Sequence, residues 1–108
     1  EIDLRDVTAV SDLVCGEEFD VVFHLAAESH VDRSITGPSV FVETNVVGTH
    51  TLLKGAKKVW LDEGAVACHL FHHVSTDEVF GSTDVAAGLG IDAGLRPGNP
   101  YAASKAAA

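Results

Sequence analysis

Two pairs of side chains in the second half of this chain have the types and spacing that acid–base chemistry needs. Tyr101 and Lys105 are four residues apart, which places both on one face of a helix. A free phenol has a pKa of about 10 and is a poor base at neutral pH, but a nearby ammonium group favours the phenolate. Asp77 and Glu78 are adjacent carboxylates behind an apolar run. The two pairs together indicate an oxidation assisted by a phenolate and an elimination of water assisted by two carboxyl groups.

The elements that must hold these side chains form a strand–helix–strand pattern. Residues 20–27 and 68–75 are apolar runs rich in branched and aromatic residues, which predicts two strands of a parallel sheet, buried on both faces. Pro38 suits a first helical turn, and the interval from Pro38 to about Trp60 has the length of a crossover helix. Its packed face is predicted to carry Phe41, Thr44, Asn45, Gly48, Leu52 and Ala56, spaced three to four residues apart. This βαβ unit should be right-handed.

The flanking segments extend this pattern. We expect a short helix over Val7–Cys15, and Glu1–Leu4 reads as the end of an earlier strand. The segment Gly81–Asn99 is rich in glycine and alanine and predicts a loop. A helix should then begin at Tyr101, behind Pro100. Because a parallel sheet needs more strands than these, we expect residues 1–108 to be an internal part of a larger α/β domain.

Composition narrows the class of protein without naming a function. The chain has 108 residues, 46% hydrophobic and 21% charged, which is ordinary for one small globular domain. A net charge of −9 argues against a nucleic-acid partner. No signal peptide and no apolar stretch long enough for a membrane span is visible. Cys15 and Cys68 have no paired spacing, so we expect a cytoplasmic protein.

The ends of the predicted strands indicate where a ligand would bind. In open parallel sheets, ligands bind beyond the carboxyl ends of the strands. Small and polar residues follow the first strand at Leu25–Ser29, Asp77 and Glu78 follow the second, and Asp3 is expected at the same edge. The nearby histidines His69, His72 and His73 do not predict a metal site, because strand alternation divides them between the two faces.

Four segments of the chain resemble one enzyme family. Phe23–Ile35, Glu43–Thr49, His72–Gly81 and Pro100–Ala106 are similar, in order and spacing, to the signatures of dTDP-glucose 4,6-dehydratases. These enzymes are extended short-chain dehydrogenase/reductases that bind NAD on a Rossmann domain. The resemblance implies a partial Rossmann-like, doubly wound parallel sheet, with residues 1–108 inside a single NAD-binding domain. The triplet Thr76–Glu78 matters most, because related epimerases generally lack the Asp–Glu pair.

The resemblance also implies a role for each matching residue. Asp3 and Leu4 would meet the adenine of NAD. Leu25, Ala26, Ala27, Glu28, Ser29 and Thr44 would line the cofactor, while Ser29 and Thr76 would contact the sugar. Tyr101 would take the proton of the sugar 4-hydroxyl, and Lys105 would reach the nicotinamide ribose. Glu78 would then remove the proton on carbon 5, and Asp77 would protonate the departing 6-hydroxyl.

The substrate implied by the resemblance is dTDP-glucose, and the product is its 4-keto-6-deoxy sugar. A homodimer is also implied, and no metal is. The chain departs from the family pattern in lacking the glycine-rich NAD fingerprint and the substrate domain, and in carrying Leu89–Asp92 where an aromatic residue and Thr-Glu are usual. Three alternatives stay open. The protein is a dehydratase that acts on a UDP- or CDP-sugar, an epimerase with an unusual triplet, or a catalytically silent chain.

Overall fold

The βαβ unit predicted from the sequence is present in the computed structural model, which describes residues 1–17, 19–62, 68–83 and 88–108. The strands β1 (Val21–His24) and β2 (Leu70–His73) pair in parallel. In their register Val21 lies opposite Leu70 and His24 lies opposite His73. Both strands are shorter than the apolar runs that predicted them, and irregular segments follow each strand at one edge of the sheet.

The connection between the strands is one long helix with two changes of winding. It consists of α3 (Pro38–Phe41), a π-helical stretch Val42–Gly48, α4 (Thr49–Lys57) and a second π-helical stretch Lys58–Asp62. We call residues 38–62 the central helix, because the backbone stays right-handed helical at each junction. Pro38 stands in the first turn, as predicted. The wider winding of a π-helix often marks a functional segment.

Shorter helices surround this unit. They are α1 (Val7–Gly16), α2 (Val31–Thr36) and α5 (Pro100–Ala107). The Asp6 side chain caps α1 by accepting from the Ala9 amide at 3.0 Å. Val14 of α1 packs so closely on Gly55 of the central helix that a side chain at position 55 would collide with it. The helices α1 and α5 were predicted, and α2 was not.

Two predictions about the strands were wrong. Glu1–Leu4 forms no strand: residues 1–3 are irregular, and a turn follows at Leu4 and Arg5, where the Asp3 carboxylate accepts from the backbone and side chain of Arg5. The sheet is also not buried on both faces. His24 is 3% exposed, whereas Phe23 on the opposite face is 64% exposed. Within the described ranges, helices cover only the face that carries His24 and His73.

The segment before α5 is a loop wherever the structure describes it. Residues 81–83 and 88–99 contain no helix or strand, as predicted, and residues 84–87 of that predicted loop lie outside the described residues. The loop is fastened by the Arg96 amide, which donates to the Val79 carbonyl at 2.9 Å. Across the described parts of the chain, no helix is long and apolar enough to cross a membrane.

Candidate active site

The two acids lie directly beyond the carboxyl end of β2, in a short 3-10 helix, Asp77–Phe80. Thr76 caps this turn, since its hydroxyl oxygen accepts from the Glu78 amide at 3.3 Å. Asp77 is exposed and Glu78 is half-buried. The turn therefore places two neighbouring carboxylates in different surroundings.

The start of α5 is tied to this acidic turn through one side chain. Asn99 caps α5, because its Oδ1 accepts from the Ala102 amide at 2.7 Å. Its Nδ2 donates to Oε2 of Glu78 at 2.9 Å. A cleft of about 320 Å³ opens beside this hydrogen bond, lined by Glu78, Gly81, Ser82, Gly98 and Asn99. The helix that carries Tyr101 and Lys105 thus begins against the carboxylate of Glu78.

Lys105 reaches back from α5 to the end of β2. Its ammonium donates to the Val74 carbonyl at 2.7 Å and lies 3.4 Å from Nε2 of His73. The residue is 6% exposed, and this burial lowers the Lys105 pKa below its ordinary value. The His73 pKa is lowered by burial first and then by the charge of Lys105. Tyr101, one turn earlier on α5, packs edge-on against Phe41 with the ring centroids 6.4 Å apart.

A buried asparagine joins the end of β1 to the same helix. The Oδ1 atom of Asn45, in the central helix, accepts from the Glu28 amide at 2.8 Å, and its Nδ2 donates to the Glu28 carbonyl at 2.9 Å. The same Nδ2 donates to the Ser104 hydroxyl at 2.8 Å, and that hydroxyl donates to the Tyr101 carbonyl at 2.7 Å. Asn45 therefore fixes the loop after β1 relative to the helix of Tyr101.

The loop after β1 presents small and exposed residues at this edge. Leu25, Ala26 and Ser29 are exposed, and Ala27 and Glu28 are half-buried. Thr44 is half-buried on the central helix, next to Asn45. A flat ligand could therefore approach the backbone of this loop without displacing a large side chain, except at Leu25.

The first residues of the chain lie farther from the acidic turn. Leu4 packs against Gly48 of the central helix. Asp3 is exposed, and its hydrogen bonds with Arg5 lower the Asp3 pKa to about 2. The hydrogen bond to Asp3, and to a lesser degree the charges of Glu43 and Glu28, raise the Arg5 pKa above its ordinary value. No hydrogen bond or ion pair joins Asp3 or Leu4 to Thr76–Glu78 among the described residues.

The structure therefore brings most of the predicted site residues to one edge of the sheet and adds four that the sequence analysis missed. These are Asn45, His73, Asn99 and Ser104 as hydrogen-bonding partners. A signal existed for two of them: Asn before Pro is a strong helix-cap pattern, and a polar Asn45 on a packed face demands partners. Within the described part of the chain, no cluster of three or more His, Cys, Asp or Glu side chains could hold a metal ion.

Comparisons with known proteins agree on one group. The model of a family described as "GDP-mannose 4,6 dehydratase" matches residues 1–108. The dTDP-glucose 4,6-dehydratase of Haemophilus influenzae is 46% identical over 110 residues, covering 99% of this chain and 32% of the relative. The chain thus spans about a third of the length of the curated relatives it matches.

Two solved structures show how far the likeness of fold extends. A dTDP-glucose 4,6-dehydratase from Streptomyces venezuelae, crystallised with NAD and TYD bound, is similar with a TM-score of 0.80 and 48% identity, over 98% of this chain and 30% of that one. A Thermus thermophilus UDP-glucose 4-epimerase in complex with NAD has a TM-score of 0.86 but 28% identity, over 98% and 32%. The fold is common to dehydratases and epimerases, whereas the sequence is nearer to the dehydratases.

Proposed function

Because the chain belongs to the GDP-mannose 4,6 dehydratase family, we propose that it carries the catalytic residues of an NAD-dependent dTDP-glucose 4,6-dehydratase. The observation that carries the proposal is the hydrogen bond from Asn99 to Glu78. Through it, the Asp77–Glu78 pair meets the start of the helix that bears Tyr101 and Lys105. A reaction that joins oxidation to elimination needs both sets of groups around one sugar.

The residues present fit the nicotinamide end of NAD. An ammonium group has three protons to donate, and the described residues accept two of those of Lys105. The third is available to a ribose hydroxyl at the carboxyl end of β2. The methyl side chains of Ala26 and Ala27 leave the backbone open to a flat ring. Bound NAD would supply the acceptor for a hydride from the sugar and the donor that later returns it.

Each side chain of the site has a step that its surroundings suit. Tyr101 takes the proton of the sugar 4-hydroxyl, with the buried charge of Lys105 one helical turn away to stabilise the phenolate. Oxidation at carbon 4 acidifies the proton on carbon 5, and the Glu78 carboxylate removes it. Asp77 gives a proton to the 6-hydroxyl as it leaves as water. Thr76 caps the acidic turn and holds both acids beside the sugar.

We further propose that residues 1–108 form part of a single NAD-binding domain and that the protein acts as a homodimer. Val42 and Val47 support the second point, because both are exposed apolar side chains, at 50% and 43%, on the π-helical stretch of the central helix. Light scattering of the full-length protein that contains this chain should give twice its monomer mass. A monomer at micromolar concentration would contradict this proposal.

A chimaera tests the reaction. In the dTDP-glucose 4,6-dehydratase of Haemophilus influenzae, the matching segment is replaced by residues 1–108 of this chain. We expect the chimaera to convert dTDP-glucose to the 4-keto-6-deoxy product, which is followed by its absorbance in alkali. Glu78→Gln should lower the turnover by about a thousandfold, while oxidation at carbon 4 persists as a burst of NADH. Full elimination activity in Glu78→Gln would refute the role of Glu78.

The choice of sugar and the alternatives are tested with the same protein. UDP-glucose and CDP-glucose are compared with dTDP-glucose, and faster turnover of either would favour a related dehydratase. Formation of a 4-epimer without loss of water would favour an epimerase, a reaction that needs neither Asp77 nor Glu78. For the 108-residue chain by itself we expect no turnover, and calorimetric titration with NAD measures whether it binds the cofactor.

A further inference from the structure

We propose that Asn99 is a positioning residue that holds the Glu78 carboxylate for proton abstraction, an inference that rests on the proposed function. The oxygen and the nitrogen of the Asn99 side-chain amide each make one hydrogen bond. The Oδ1 atom accepts from the Ala102 amide at 2.7 Å, and Nδ2 donates to Oε2 of Glu78 at 2.9 Å. Because the backbone amide of Ala102 can only donate, Oδ1 must face it, and the NH2 group must face Glu78.

The amide of Asn99 is held rigidly on the side of α5. Pro100 follows it, and a residue before proline is confined to extended backbone. Asn99 has that conformation, with φ −146° and ψ 164°. Capping the helix then fixes the side chain, so the donor is in place before a substrate arrives.

Glu78 is correspondingly fixed at two points. Its backbone amide is bound by the Thr76 hydroxyl, and its Oε2 by Asn99. Within the described residues, Oε1 has no hydrogen-bond partner and remains to accept a proton. A donor on one carboxylate oxygen favours the ionised form and leaves one defined oxygen for the abstraction. Asn99 thus prepares the base without touching the substrate.

Two substitutions of Asn99 separate its role as helix cap from its role as hydrogen-bond donor to Glu78. Serine and aspartate both cap helices as well as asparagine does, so Asn99→Ser and Asn99→Asp should keep α5. Asn99→Ser removes the NH2 group that donates to Glu78 and leaves a shorter hydroxyl in its place. Asn99→Asp replaces that donor with a second carboxylate, and two carboxylates that share a site cannot both ionise readily.

The kinetic test compares both variants in the chimaera described above. We expect Asn99→Ser to lower kcat by about tenfold with little change in KM, since one hydrogen bond to a charged group is lost. Asn99→Asp should lower kcat by about a hundredfold at pH 7 and move the acid limb of the pH profile upward by about one unit. The burst of NADH should be unchanged in both variants, because oxidation at carbon 4 does not use Glu78. Normal turnover and an unmoved acid limb in both variants would overturn the proposal.

A direct measurement uses the 108-residue chain and needs no activity. The sequence contains two asparagines and no glutamine, so a 15N spectrum has only two side-chain amide pairs, those of Asn45 and Asn99. We expect the Asn99 pair at neutral pH to differ in chemical shift between the wild-type chain and Glu78→Ala, because the substitution removes the carboxylate that accepts from it. The buried Asn45 pair serves as the reference. An Asn99 pair at the same position in both proteins would overturn the contact.

The two tests fail in different ways. An inactive wild-type chimaera counts against the proposed function, and the spectra of the chain then decide the contact between Asn99 and Glu78. If both amide pairs have random-coil chemical shifts, the 108-residue chain is unfolded, and the kinetic comparison of the Asn99 variants in the chimaera decides the role of Asn99. Elimination that proceeds normally in Asn99→Ser, in an active chimaera, counts against the inference while leaving the function intact.

Discussion

Acidification should unfold this protein largely through His24, which lies beneath the candidate site. The imidazole is buried, with Nε2 at 2.8 Å from the Thr49 hydroxyl. Because Thr49 gives its own proton to the Asn45 carbonyl at 2.6 Å, it accepts from His24, and the neutral ring is protonated at Nε2. Burial, followed by the charges of His73 and Lys105, lowers the His24 pKa to about 4. The folded state therefore excludes the proton that the unfolded chain binds.

The magnitude follows from proton linkage. With a pKa of about 4 in the folded state and 6.5 in the unfolded state, His24 contributes about 3 kcal/mol of stability above pH 6.5. This contribution is lost as the pH falls from 6.5 towards 4, because the unfolded chain takes up the proton first. His73, whose pKa is also lowered, adds to the loss in the same direction. Between pH 7.5 and 4.5, His24 alone should remove about 2.5 kcal/mol from the free energy of unfolding.

Urea unfolding at pH 7.5 and 4.5 measures this effect in the wild-type chain and in His24→Gln. Glutamine does not titrate, and its amide can still donate to Thr49. The variant should be less stable at pH 7.5, since the ring contacts with Phe71 and His73 are lost. On acidification from pH 7.5 to 4.5, the free energy of unfolding should fall in both proteins, and the fall in the variant should be smaller by about 2.5 kcal/mol. Equal losses in the two proteins would refute the assignment of the pH dependence to His24.

Two further substitutions test the packing that holds the site together. Asn45→Ala should lower the free energy of unfolding by about 3 kcal/mol, because the backbone of Glu28 loses two buried partners. Lys54→Ala, at an exposed position of the same helix, should change it by less than about 0.5 kcal/mol, and equal effects would contradict the role of Asn45. Gly81→Ala should cost about 2 kcal/mol in the same urea assay, because φ at Gly81 is 75° and a Cβ would collide with the Arg96 carbonyl. Gly98→Ala is the matched control, since a Cβ there meets nothing within 4 Å. An unchanged urea midpoint for Gly81→Ala would contradict the predicted collision with the Arg96 carbonyl.

The order of the elements was predictable because it depends on neighbours in the chain. Hydrophobic periodicity predicted the central helix, branched apolar runs predicted β1 and β2, and Pro100 predicted the start of α5. The strand order then implied that Asp77 and Glu78 follow the carboxyl end of β2, since parallel strands end at one edge. Glu1–Leu4 differs from the expected strand, since the chain there is irregular and turns at Leu4 and Arg5.

What only the tertiary structure decided is how the pieces are joined. The bonds from Asn45 to Ser104, from Asn99 to Glu78 and from Lys105 to Val74 connect residues 59, 21 and 31 positions apart. No local pattern specifies such a pair, because many polar residues could cap a helix or fill a packed face with equal propensity. Burial of the sheet was also not predictable from its strands. Their apolar sequences predicted burial on both faces, whereas the described helices cover one face. The sequence thus determined which groups are available for chemistry, and packing determined which oxygen of Glu78 is held and which is left to act.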